Sequence, residues 1–151
     1  MSFAKKKVII SACLLGEYCR YDGKTKEYES LLKYYEEWEI IPFCPEAPIF
    51  GTPRERINVV EINGEKKIFT DKTNKDVTKL LSDEINNFVE QNRDIDEIVL
   101  KSKSPSCGYK TTPILNSKKE ILRYENGIAA DILQKYYEGI KIKDELNFSE
   151  F

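Results

Sequence analysis

The chain has 151 residues, 40% of them hydrophobic and 33% charged, with 24 lysines and arginines against 26 acidic residues and a formal net charge of −2. That length fits one α/β domain with a core of its own. No apolar run approaches the ~20 residues of a membrane span, and the interspersed charges carry no nucleic-acid footprint.

Histidine is absent. That single zero removes Ser-His-Asp and Cys-His catalysis and every metal site built on imidazole. Acid–base work near neutral pH then falls to carboxylate, lysine, tyrosine or cysteine. The basic cluster Lys5-Lys6-Lys7 precedes an apolar run too short for a signal peptide, so a cytoplasmic protein is expected.

Residues 6–12 are β-branched and continuously apolar, the pattern of a buried parallel strand. Cys13-Leu14-Leu15-Gly16 leaves that strand, and residues 14–25 read as a long loop containing Cys19 and an Asp22-Gly23 turn. Leu31, Leu32, Tyr35 and Trp38 recur at helical spacing, which predicts a helix over 27–38. A second strand follows at 39–44, and Pro45-Glu46-Ala47-Pro48 breaks it.

Ile57–Ile62 and Lys67–Thr70 flank Asn63-Gly64, a hairpin signal, read as a small excursion at the domain edge rather than part of the main sheet. Asp76 can cap a helix with the stripe Val77, Leu80, Leu81, Ile85, Phe88 and Val89. Strand three is expected at 97–101, and a short strand at 113–115. A helix follows at 128–138, with Ile128, Ile132, Leu133 and Tyr137 on one face. Residues 140–142 read as a last strand and 144–151 as a short closing helix. The alternation predicts a single three-layer α/β domain with a mostly parallel, Rossmann-like sheet.

The chemistry gathers at strand ends. Cys13 closes the first strand, Cys44 the second, and Lys101-Ser102-Lys103-Ser104-Pro105-Ser106-Cys107-Gly108 follows the third. Pro105 cannot continue a ladder, so that segment is a loop at a carboxyl strand end, where open α/β sheets bind ligands. Three converging thiols without histidine suit an iron–sulfur cluster or zinc, with Cys19 available as a fourth zinc ligand. A cluster held by only three thiolates leaves one iron open as a Lewis acid. Glu46, held between Pro45 and Pro48 beside Cys44, is the candidate general acid/base. Ser102, Ser104 and Ser106 take supporting roles, Asp22 forms a turn, and Arg54 binds an anion or pairs with Glu55.

Several segments together resemble the small bacterial thiouracil desulfidase family. They are Ser11-Ala12-Cys13-Leu14-Leu15-Gly16, Cys19-Arg20-Tyr21-Asp22-Gly23, Pro45-Glu46, Thr52-Pro53-Arg54-Glu55, Asp76-Val77-Thr78, Lys101–Gly108 and Asn126-Gly127-Ile128-Ala129-Ala130. The resemblance runs in order from about residue 6 to 142. It implies a 4Fe–4S cluster on Cys13, Cys44 and Cys107, whose fourth iron takes the sulfur of a thiolated nucleobase. It also implies a non-redox hydrolysis of C=S to C=O, with Glu46 working on water and a catalytic serine in the Lys101–Cys107 motif, chosen as Ser104.

The partner expected is therefore a small thiolated base, with a base inside RNA as an alternative and no membrane contact. Two competing readings are a desulfurase of another thiolated metabolite and a non-catalytic zinc- or cluster-stabilised binding module.

Overall fold

The structure, a computed structural model, describes residues 5–16, 29–51 and 53–150. In chain order, β1 (Lys7–Ser11) ends in a tight turn at Ala12–Leu15, and α1 (Glu29–Tyr34) leads to β2 (Glu39–Phe43) and the single-turn helix α2 (Ala47–Phe50). The hairpin β3 (Ile57–Ile62) and β4 (Glu65–Thr70) precedes α3 (Thr78–Gln91) and β5 (Glu97–Leu100). Then come β6 (Thr112–Leu115), β7 (Ile121–Glu125), α4 (Ile128–Tyr136), β8 (Lys141–Asp144) and a last tight turn at Phe148–Glu150.

Among the described residues two four-stranded sheets result. The first has order β2-β1-β5-β8 and is parallel throughout. Its central β1 has Val8, Ile9 and Ile10 fully buried, because both faces are covered. On one face Ile9, Ile98, Leu100 and Ile142 meet Ile85 and Val89 of α3 and Ala129 and Leu133 of α4. On the other, Val8, Ile10 and Val99 meet Leu31, Tyr35 and Phe148. The expected α/β architecture with a mostly parallel sheet is thus present.

The hairpin turns at Asn63 and Gly64, both with positive φ, as a two-residue connection requires. It does not stand alone at an edge. β3 pairs in parallel with β6, and β6 pairs antiparallel with β7, giving a second sheet of order β4-β3-β6-β7. β7 escapes a sequence reading because Ile121, Leu122, Arg123 and Tyr124 are all exposed and show no alternation. Ile57, Val59, Ile68 and Ile114 of this sheet pack on Val77 and Leu81. α3 therefore serves both sheets, with Leu81 on one and Ile85 and Val89 on the other.

Val77 stands at the N-cap of α3 in place of the expected Asp76, whose carboxylate one residue earlier accepts the Thr78 N–H at 3.0 Å and the Thr78 hydroxyl at 2.7 Å. Leu80, placed in the apolar stripe by spacing, is exposed; Leu81, Ile85 and Val89 are the buried positions. The expected helix over 27–38 is cut to Glu29–Tyr34 among the described residues, residues 27 and 28 lying outside them. The chain turns there because Tyr35 is drawn inward, its hydroxyl donating to Glu97 at 2.8 Å. The expected closing helix is only the turn at Phe148–Glu150. Among the described residues no helix is long and apolar enough to cross a membrane.

Candidate active site

Parallel pairing sets the geometry of the site. β1 lies between β2 and β5, so their carboxyl ends share one edge, and Ser11 is in register with Phe43. The three segments that leave this edge carry Cys13, Cys44 and Cys107. All three residues line one cavity of about 360 Å³, closed on the far side by Arg56, Ile57, Asn58 and Val59 and by Pro113 and Leu115 of the second sheet. That volume is in the range of small-molecule sites. The cavity lies at the carboxyl strand ends, where parallel α/β sheets place ligands.

Cys13, Cys44 and Cys107 are thiols, the first and last buried. Among the described residues, no three cysteine or carboxylate side chains close on a single point as one metal ion requires. The three thiols line the cavity from separate segments, and separate thiolate corners are what an iron–sulfur cluster uses, so the donor set fits such a cluster. Cys19 and Asp22 lie outside the described residues.

Burial pushes the Cys107 thiol up to about 12, with Cys44 and Glu46 adding to the shift and the Ser106 hydroxyl opposing it. A raised thiol value means the neutral form persists far above neutrality, and only the thiolate is nucleophilic or ligating. In the metal-free protein at about pH 8, iodoacetamide should alkylate Cys107 at least roughly tenfold more slowly than an unhindered peptide thiol. Peptide mass spectrometry reads the rate, and equal rates would contradict the burial.

Glu46 is a buried polar side chain, and its partners explain how. Ser106, fully buried, donates its hydroxyl to Glu46 Oε2 at 2.6 Å, and Arg54 Nε lies 3.4 Å from Oε1. Arg54, whose guanidinium also reaches the Gly51 carbonyl at 3.0 Å, thus pairs with Glu46 rather than with Glu55. Glu55 instead accepts the Lys72 and Thr73 N–H groups at the hairpin's far end.

The three serines divide the work. Ser106 touches Glu46. Ser104, favoured from the motif, accepts the Cys107 N–H at 3.0 Å, and its hydroxyl is 3.5 Å from that of Ser106. Ser102 gives both its N–H and its hydroxyl to Glu145, each at 2.7 Å.

The loop carrying Cys107 is fixed from behind by α4. Gly127 donates its N–H to the Gly108 carbonyl at 2.8 Å, and Ala129 donates to the Ser106 carbonyl at 2.8 Å. A Cβ on Gly127 would sit 2.5 Å from the Ser106 carbonyl oxygen, and one on Gly108 would sit 2.3 Å from Thr112 Oγ1. Asn126-Gly127 is therefore a close-approach element that holds Ser106 and Cys107, and a side chain there must displace them.

Sequence reasoning missed Glu145, Arg56 and Asn58 as parts of this region. Each stands in an ordinary polar context, and only the folding of β3 and β8 beside the cysteine loops brings it near. No local signal marks them.

A similar fold occurs in a protein of known structure. A solved structure described as the 4Fe-4S-dependent thiouracil desulfidase TudS matches with a TM-score of 0.74 and 30% identity, covering 97% of this chain and 95% of its own. An uncharacterized protein, YbbK, of Bacillus subtilis (strain 168) is 33% identical over 110 residues, covering 67% of this chain and 72% of that protein. Residues 8–145, from within β1 to the residue after β8, match the 2-thiouracil desulfurase family, and the chain belongs to that family.

Proposed function

We propose that the chain is a hydrolytic desulfidase of small thiolated nucleobases such as thiouracil, dependent on a 4Fe–4S cluster held by Cys13, Cys44 and Cys107. The observation that carries the reading is the hydrogen-bonded Ser106–Glu46 pair, which lines the same cavity as the three thiols. The likeness to a desulfidase described as 4Fe-4S-dependent supports the choice of cofactor. When bound through three thiolates, the cluster supplies a soft Lewis-acidic iron suited to a thiocarbonyl sulfur.

The chain's own residues supply the rest. Glu46 takes a proton from water as the water oxygen bonds to the thiocarbonyl carbon. The Ser106 hydroxyl fixes one carboxylate oxygen of Glu46 and leaves the other to work beside Arg54. The proton held at Glu46 passes to the sulfur, the C–S bond breaks with both electrons leaving on hydrosulfide, and the oxygen gives up its remaining proton as C=O forms. C=S plus water thus gives C=O plus hydrogen sulfide, and no atom changes oxidation state.

Ser104 has two parts in this reading, keeping the Cys107 backbone in place and standing within reach of Ser106. The reading is tested by supplying 2-thiouracil to iron-loaded protein without added oxidant or reductant. It predicts uracil and hydrosulfide in equal amounts. Sulfide release that depends on a reductant would replace hydrolysis with a redox desulfuration.

A further inference from the structure

The carboxylate of Glu145, which follows β8 and comes from outside every cysteine segment, is buried to 2% side-chain exposure against the cavity-lining loop. Burial alone would raise its carboxyl, but the Ser102 N–H and hydroxyl and the Lys101 ammonium outweigh that and hold it below its ordinary value. Lys101 Nζ lies 3.1 Å from Glu145 Oε2 and donates to the Ser102 carbonyl at 2.8 Å. Its backbone N–H donates to the Ser11 hydroxyl at 2.9 Å, tying the residue to the end of β1. The lysine is therefore held at both ends, a rare state for so flexible a side chain.

An ammonium has three donors. One is given to the Ser102 carbonyl, and the ion pair with Glu145 holds the ammonium in place, while the side chain keeps 19% exposure and Lys101 lines the cavity. We propose that Lys101 presents a remaining N–H to the carbonyl oxygen that a thiolated base retains, and that Glu145 is the positioning residue that aims it. This rests on the desulfidase reading and adds a determinant of substrate choice to it. A site built to hydrogen-bond a substrate oxygen discriminates against the analogue lacking that oxygen, because the buried donor is then left unpaired. Mobile lysines offer no such discrimination, since they retreat to solvent. The Glu145 clamp removes that escape.

The test compares 2-thiouracil with 2-thiopyrimidine, which carries the sulfur but not the ring carbonyl, on iron-loaded protein. Wild type should favour 2-thiouracil by roughly ten- to a hundredfold in kcat/KM. Lys101→Met should bring that ratio close to one, and Glu145→Gln, which keeps the side chain's shape but loses the charge that anchors the ammonium, should bring it partway. Uracil titrated calorimetrically into the metal-free protein should bind Lys101→Met at least roughly tenfold more weakly than wild type.

A purely structural role would depress both substrates alike and leave the preference intact, which overturns the inference. Should Lys101→Met fail to fold, the ratio in Glu145→Gln decides. If wild type releases hydrosulfide from neither compound, the desulfidase reading fails and this inference with it. Activity with an unchanged preference in the variants overturns this inference alone.

Discussion

Glu46→Gln should lower thiouracil turnover by roughly a hundred- to ten-thousandfold, the span that positioned general acid–base groups contribute. The substitution keeps the size and shape of a buried side chain, so the Ser106 hydroxyl at 2.6 Å still has a polar partner. What it removes is the capacity to take a proton from water. With no histidine in the chain, the base must be a carboxylate, lysine, tyrosine or cysteine. Glu46 is the buried carboxylate that lines the cavity beside the three thiols. Iron content should stay at the wild-type level, because Glu46 is outside the proposed ligand set. Turnover within threefold of wild type would remove Glu46 from the role assigned to it. Loss of both iron and activity would make it structural.

The second large effect concerns the thiols. Cys13→Ala, Cys44→Ala and Cys107→Ala should each abolish stable cluster loading, read as iron and acid-labile sulfide after anaerobic reconstitution. Wild type should carry about four irons per chain. Each substitution deletes one of only three thiolates, and a cluster already lacking a fourth protein ligand has none to spare. Turnover should vanish with the iron. Cys19→Ala, by contrast, should keep its iron, since the three-thiol reading gives that residue no ligand role. Full iron in any of the three variants, or loss of iron in Cys19→Ala, would change the ligand set. Uptake of zinc in place of iron would favour a zinc-stabilised module over an enzyme.

Much of this was readable from residue order because parallel sheets turn sequence into place. A β-branched run buried on both faces marks a central strand, and such strands end at one edge; hence Cys13, Cys44 and Cys107 line one cavity although 31 and 63 positions separate them along the chain. Pro105 and the surrounding serines identified the third segment as a loop. What stayed hidden depended on partners distant in sequence. β7 is exposed along its length, so no periodicity reveals it, and without it the hairpin at Asn63-Gly64 looks isolated. Leu80 carries the right spacing but falls one position off the buried arc of α3.

The serines show the same limit at finer scale. Ser102, Ser104 and Ser106 alternate along one motif and differ only in what folds against them. Glu145 takes Ser102, the Cys107 backbone takes Ser104, and Glu46 takes Ser106. Choosing among them from the motif alone favoured Ser104, whereas the hydroxyl bonded to Glu46 is that of Ser106. Arg54 likewise has an acidic neighbour in sequence, Glu55, but it pairs with Glu46, eight residues away, and both line the cavity.

The central claim is hydrolysis at this cavity, and the most direct measurement follows the oxygen. Iron-loaded wild type is given thiouracil in water enriched in the heavy oxygen isotope, without oxidant or reductant, and the uracil formed is weighed by mass spectrometry. One heavy oxygen per uracil, with one hydrosulfide released for each, is the predicted result. Uracil without the heavy isotope, or no uracil from fully iron-loaded protein, would contradict it.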